Sequence, residues 1–113
     1  MVSRFLKCSS AVLAVSVGAM SVAHAGCSSG FCSNEEITTL YVSKDVYIRT
    51  SGDESQLNCN LLEGQYLTLR RDHEKYDAIY AFLLSAYHQR EAVTIRVREG
   101  TDGCNIAYVR DDR

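Results

Sequence analysis

The chain has 113 residues, a formal net charge of −2 and 23% charged residues. A mildly acidic chain lacks the basic footprint that phosphate backbones require, which argues against nucleic-acid binding. The length suits one domain, too small for a large core, so a covalent staple is expected.

The first 25 residues have the pattern of a secretory signal. Arg4 and Lys7 supply a positive start, residues 11–20 are apolar, and Ala23-His24-Ala25 fits the small-x-small cleavage rule. The uncharged run is shorter than the ~20 apolar residues that span a bilayer, so no membrane span is expected after cleavage. A lipoprotein with Cys27 acylated is disfavoured, because His24 stands where such a signal has Leu. Cleavage leaves residues 26–113 as a single domain, secreted or periplasmic. Loss of Arg4 and Lys7 takes its charge to −4.

Residues 26–34, rich in Gly, Ser and Cys, read as a polar, flexible lead-in. Glu35 to Val42 reads as a strand, residues 43–45 as a turn, and Val46 to Thr50 as a second strand of a β-hairpin. Residues 51–60 form the longest polar stretch, with Gly52-Asp53-Glu54-Ser55 as a loop. Gln65 to Arg70 is a third strand, with Leu67 and Leu69 inward and Tyr66, Thr68 and Arg70 outward. From Tyr76, large apolar residues recur at Ile79, Tyr80, Leu83, Leu84 and Tyr87, one stripe of an α-helix that Asp72 is placed to cap. Residues 92–98 alternate strictly, with Val93, Ile95 and Val97 inward and Thr94, Arg96 and Arg98 outward. The outward arginines are candidates for ion pairs, with Glu63 and Asp53 among the partners. Asn105 to Arg110 is a fifth strand, and 111–113 a solvated tail. The order β-β-β-α-β-β predicts a mainly β protein with one helix, an OB-fold whose five-stranded barrel is plugged at one end by that helix. The mature chain has no proline, so its strands can donate complete hydrogen-bond ladders.

Four cysteines remain after cleavage, and they allow three pairings. We expect Cys59–Cys104, tying mid-chain to the last strand, with Cys27–Cys32 closing a small loop. No Cys-x-x-Cys exists and the histidines do not cluster with the thiols, so a zinc site is not expected. No cofactor is implied. No catalytic set is visible: His73 and His88 stand near opposite ends of the helix, and Ser33 has no histidine nearby in sequence. Tyr47 and Tyr66 point away from the apolar face of their strands and are candidates for a binding surface. Tyr76, Tyr80 and Tyr87 fall on the core stripe. Ala78, Ala81 and Ser85, flanked by Phe82, form a small-residue strip on the outer helix face that suits close approach of a second helix.

Residues 33–42, Tyr47 to Thr50, and Tyr76 to Val97 resemble the B-subunit family of the subtilase cytotoxin and related small exported bacterial proteins. The resemblance covers less than half of the mature chain. It implies an OB-fold, a homopentamer that binds sialylated or other glycans, and a partnering toxin A subunit. It also implies a sugar contact at Ser33. Asp53 and Glu54 lie near the loop that carries the family's acidic contacts, while Ser29 stands where an Asp is expected. The chain is thus expected to bind glycans without catalysis through Ser33, Tyr47, Asp53, Glu54 and Tyr66. The rival expectation is a monomeric periplasmic protein of the same fold with a protein or small-molecule partner.

Overall fold

The computed structural model describes residues 25–112. The expected signal sequence, Cys8 included, lies outside the described residues but for Ala25. Seven strands, one short 3-10 turn and one α-helix follow in order. They are β1 (Gly26–Ser28), β2 (Phe31–Glu35), β3 (Ile37–Val42), β4 (Val46–Thr50), β5 (Leu67–Leu69), α1 (Tyr76–Gln89), β6 (Val93–Val97) and β7 (Ile106–Arg110). Among the described residues the protein is therefore mainly β with one helix. The strands form two antiparallel sheets, ordered β1-β2-β6-β7 and β3-β4-β5, rather than a single closed ladder of five.

The polar lead-in is structured, contrary to expectation. β1 and β2 form a hairpin in which Cys27 lies directly opposite Cys32, and a disulfide joins them. Gly, Ser and Cys have little strand preference of their own. The cross-link and the pairing of β2 with β6 hold the segment extended. The expected single strand from Glu35 to Val42 is broken at Glu36, with register shifts on both sides. This break passes the chain from one sheet to the other. Ser51 secures it by accepting the Glu36 N–H at 3.0 Å and donating to the Glu35 carboxylate at 2.6 Å.

The second disulfide, Cys59–Cys104, connects the segment before β5 to the residue that leads into β7. It ties mid-chain to the start of the last strand, as expected, and in doing so links the regions of the two sheets. The sheets also meet where the Thr68 N–H donates to the Cys104 carbonyl at 3.2 Å, beside a parallel bridge between Thr68 and Asn105. That contact buries Thr68, which alternation alone assigned to solvent. Thr94, also assigned outward, is buried. Its hydroxyl accepts the Asn34 N–H and donates to Asp112.

The helix packs against β3 and β5 of one sheet and β7 of the other. Ile79, Leu83 and Ala86 are its buried residues, one above another at helical spacing. Tyr76, Tyr80 and Tyr87 pack partly against the core, and so does Phe82, which the sequence had facing outward. Asp72 does not cap α1. Both of its carboxylate oxygens are taken by Arg70, at 2.9 and 2.7 Å. The chain leaves the helix through Arg90 in a left-handed conformation, whose N–H returns to the carbonyls of Ala86 and Tyr87. Between the sheets and the helix lie the fully buried Val46, Ile48, Leu67, Leu69, Leu83, Val93, Ile95, Val97 and Ile106. Burial of each such side chain contributes roughly 1.5–3 kcal/mol relative to exposure.

Candidate functional site: two outer sheet faces

The five residues expected to bind ligand are divided by the fold. Tyr47 and Tyr66 come together on the outer face of β3-β4-β5, and Tyr41 joins them. Tyr41 lies opposite Tyr47 across the β3–β4 hairpin. Their ring centroids are 4.9 Å apart, Tyr41 and Tyr66 are 5.3 Å apart edge to face, and Tyr47 and Tyr66 are 6.5 Å apart. Rings this close make a continuous aromatic platform, not a cage with space between them. Tyr66 reaches it because residues 62–66 close a tight turn, in which Leu62 accepts from and donates to Tyr66. Glu63 in that turn stands close enough to bear on Tyr41. Desolvation of the Tyr41 phenol, and then the Glu63 charge, raise its pKa above the usual tyrosine value. Val42, half exposed, flanks the platform's hairpin end.

Ser33 lies on the other sheet. It flanks buried Cys32 on β2 and so shares the outer face with Phe31. Phe31, Arg96 and Tyr108 form one cross-strand row over β2, β6 and β7. The Arg96 guanidinium carbon sits 4.6 Å from the Phe31 ring centroid and that of Arg110 5.6 Å from it. Glycine at position 30 leaves room for this arrangement, since a Cβ there would stand 2.6 Å from Arg96 Nη1. Each arginine has an acidic partner. Arg96 pairs with Glu99 at 3.6 Å, not with Glu63 or Asp53, and Arg110 pairs with Asp112 at 2.9 Å. Asp112, and more weakly Tyr108, raise the Arg110 pKa.

Asp53 and Glu54 lie in the loop after β4. Asp53 caps the 3-10 turn Glu54–Gln56, accepting from the Ser55 N–H at 3.1 Å and the Ser55 hydroxyl at 2.5 Å. These hydrogen bonds hold its carboxyl below the usual range. Glu54 is buried, and its carboxylate accepts both the N–H and the hydroxyl of Thr50. It fastens the loop to the end of β4 and is turned away from solvent.

Tyr41 was missed from sequence, although a signal existed. A three-residue turn at 43–45 forces Tyr41 opposite Tyr47 once the hairpin is accepted. A cleft of about 500 Å³ between the β5–α1 segment and the β6–β7 turn was also missed; Arg70, His73, Glu74, Arg98, Thr101 and Asn105 line it. Its residues come from two segments far apart in sequence, each mostly polar and without a motif of its own.

Among the described residues, no group of three or more His, Cys, Asp or Glu side chains is placed to hold a metal ion. Nor is any helix among them long and apolar enough to cross a membrane. Comparison with protein-family models, curated proteins and solved structures finds no match to this chain.

Proposed function

We propose that the protein is an exported, non-catalytic glycan-binding domain whose sugar platform is Tyr41, Tyr47 and Tyr66. The observation that carries this reading is the convergence of three partly exposed tyrosines on one sheet face. Among the described residues, none of their hydroxyls makes a side-chain hydrogen bond. A pyranose presents apolar C–H faces and a rim of hydroxyls. A tyrosine presents an apolar ring and a polar tip, so the two surfaces match in kind. The two disulfides suit an oxidising compartment.

The architecture behind the platform is, in this reading, an OB-fold. The β2–β3 path runs through both sheets, the Thr68–Asn105 bridge is parallel, and the helix lies between β5 and β6. Together these support a five-stranded barrel made of β2/β3, β4, β5, β6 and β7. Assembly into a ring beside a toxin A subunit belongs to the same reading. The exposed Ala78, Ala81 and Ser85 on the outer helix face support close helix–helix contact.

A glycan array probed with the oxidised protein tests the function. Binding is expected, with loss of signal in Tyr47→Ala and Tyr66→Ala. Equal signals from wild type and both variants would remove the tyrosine platform, and equal signals from Ser33→Ala would remove Ser33. Solution mass separates a ring from the rival monomer.

A further inference from the structure

The segment between β5 and α1 contains a histidine whose ring nitrogens both face backbone groups of fixed polarity. His73 Nδ1 lies 2.9 Å from the backbone nitrogen of Lys75, the residue that precedes the first turn of α1. Its Nε2 lies 2.9 Å from the carbonyl oxygen of Ala107 in β7. An amide N–H only donates and a carbonyl only accepts. The tautomer is therefore set: the proton is on Nε2 and the lone pair on Nδ1 faces Lys75. The neutral ring satisfies both groups. The imidazolium cannot, because a second proton at Nδ1 would point at the Lys75 N–H, donor against donor.

We propose that His73 is a pH-operated latch on the start of α1. The neutral ring ties the helix N-terminus to β7. Uptake of one proton from solvent at Nδ1 keeps the bond to Ala107 and breaks the one to Lys75, which loosens the turn at the Lys75 amide while the His73 carbonyl still accepts the Tyr76 N–H at 3.0 Å. The consequence is local in place but not in effect. His73 and Glu74 line two adjoining clefts, the one of about 500 Å³ and a second of about 560 Å³ that runs along Lys75, Tyr76 and Asp77. Release of the turn changes the wall between them.

Charged groups of both signs stand around the ring, Arg71 on the same segment among the cations. Asp72 is bound to Arg70 at the end of β5 and also interacts with the His73 ring, whose positive form it favours. Glu74 on the same segment favours a cation, while Lys75 beside it and Arg98 beyond β6 oppose one. Asp77 is further along the helix. The β7 side offers Asn105, Ile106 and the Ala107 carbonyl, none of them charged.

The test uses the full oxidised protein, with ring 15N shifts and backbone amide exchange read at about pH 7.5 and about pH 4.5. The expected result has the proton on Nε2 at the higher pH. At the lower pH the Lys75 protection factor drops several-fold while that of Ile95 in the core holds. The variant His73→Asn keeps an acceptor oxygen near the place of Nδ1 and does not titrate, so its Lys75 protection is expected to be equal at both pH values. A proton on Nδ1 at the higher pH would overturn the latch, as would unchanged Lys75 protection in the wild type. The same loss in His73→Asn would overturn it too and assign the response to Asp72 or Glu74.

Discussion

The two outer sheet faces are built from similar residues and end in opposite states. On β1-β2-β6-β7, Phe31 is covered by two guanidinium groups, and each of those is answered by a carboxylate. On β3-β4-β5, three tyrosine rings lean on one another, and among the described residues no cation stands over them. The first surface is internally satisfied. The second leaves its three rings partly exposed, with neighbours that are mainly one another. An exposed aromatic residue alone needs no explanation, but three in contact on one face do. The lesson is that aromatic content does not mark a site; the partners already present decide whether a ring is available.

The comparison assumes that both faces belong to one folded unit, and the largest predicted effect tests that. Replacing Cys59 and Cys104 together by Ser removes a cross-link between residues 45 apart in sequence. The chain-entropy cost is about 4 kcal/mol. That is a large share of the 5–15 kcal/mol typical of a domain, so a marked fall in the denaturation midpoint is expected. Removing Cys27–Cys32, with a sequence separation of 5, costs less, about 2 kcal/mol. If the two double variants lost equal stability, the longer bridge would not be coupling the sheets.

Next in size is the effect of disturbing the satisfied face. Gly30→Ala drives a methyl group into the Arg96 guanidinium, which is the free end of a flexible side chain and can swing away. The loss expected is that of one exposed cation–π contact, about 0.5–1 kcal/mol in chemical denaturation, with no change in glycan binding. A change in glycan binding would mean the ligand uses this face.

A smaller effect sharpens the other face. Because the Tyr41 pKa is raised above 10.0, the folded state holds that proton more tightly than the unfolded chain. The contribution is complete below the unfolded pKa and is lost as pH rises through the folded one. Stability should therefore decline above about pH 10 in the wild type and decline less in Tyr41→Phe, followed by denaturant titration at several alkaline pH values. The smallest effect is at the exposed Arg70–Asp72 pair. Hydrogen bonding to Arg70 lowers the Asp72 pKa, so its contribution is present above the unfolded value and disappears as pH falls through the folded one. Asp72→Asn should lower the melting temperature only slightly, and less in high salt than in low.

Much of this contrast could be read from the chain, and the parts that could not share a cause. The alternation of Val93, Ile95 and Val97, and the stripe of Ile79 and Leu83, survive because burial follows period. Both disulfides pair as expected. The β1–β2 hairpin escaped notice because its strand character comes from a cross-link and a neighbour, not from Gly, Ser or Cys. Thr68 and Thr94 escaped because period 2 says which face a side chain takes and not what later covers it. Cys104 and Asn105 cover the first; Asn34 and Asp112 cover the second. Glu54 reads as a ligand contact in a polar loop, yet Thr50 claims its carboxylate. Of the proposed platform, Tyr47 and Tyr66 were legible from alternation. Tyr41 required the register of the hairpin, which the turn at 43–45 carries and alternation within one strand does not.

The most direct measurement is a map of backbone amide shifts in the oxidised protein as it is titrated with the oligosaccharide that gives the strongest array signal. The account predicts perturbations gathered on β3, β4 and the turn before β5, around Tyr41, Tyr47 and Tyr66. Perturbations gathered around Phe31, Arg96 and Tyr108, or an array on which no glycan binds, would contradict it.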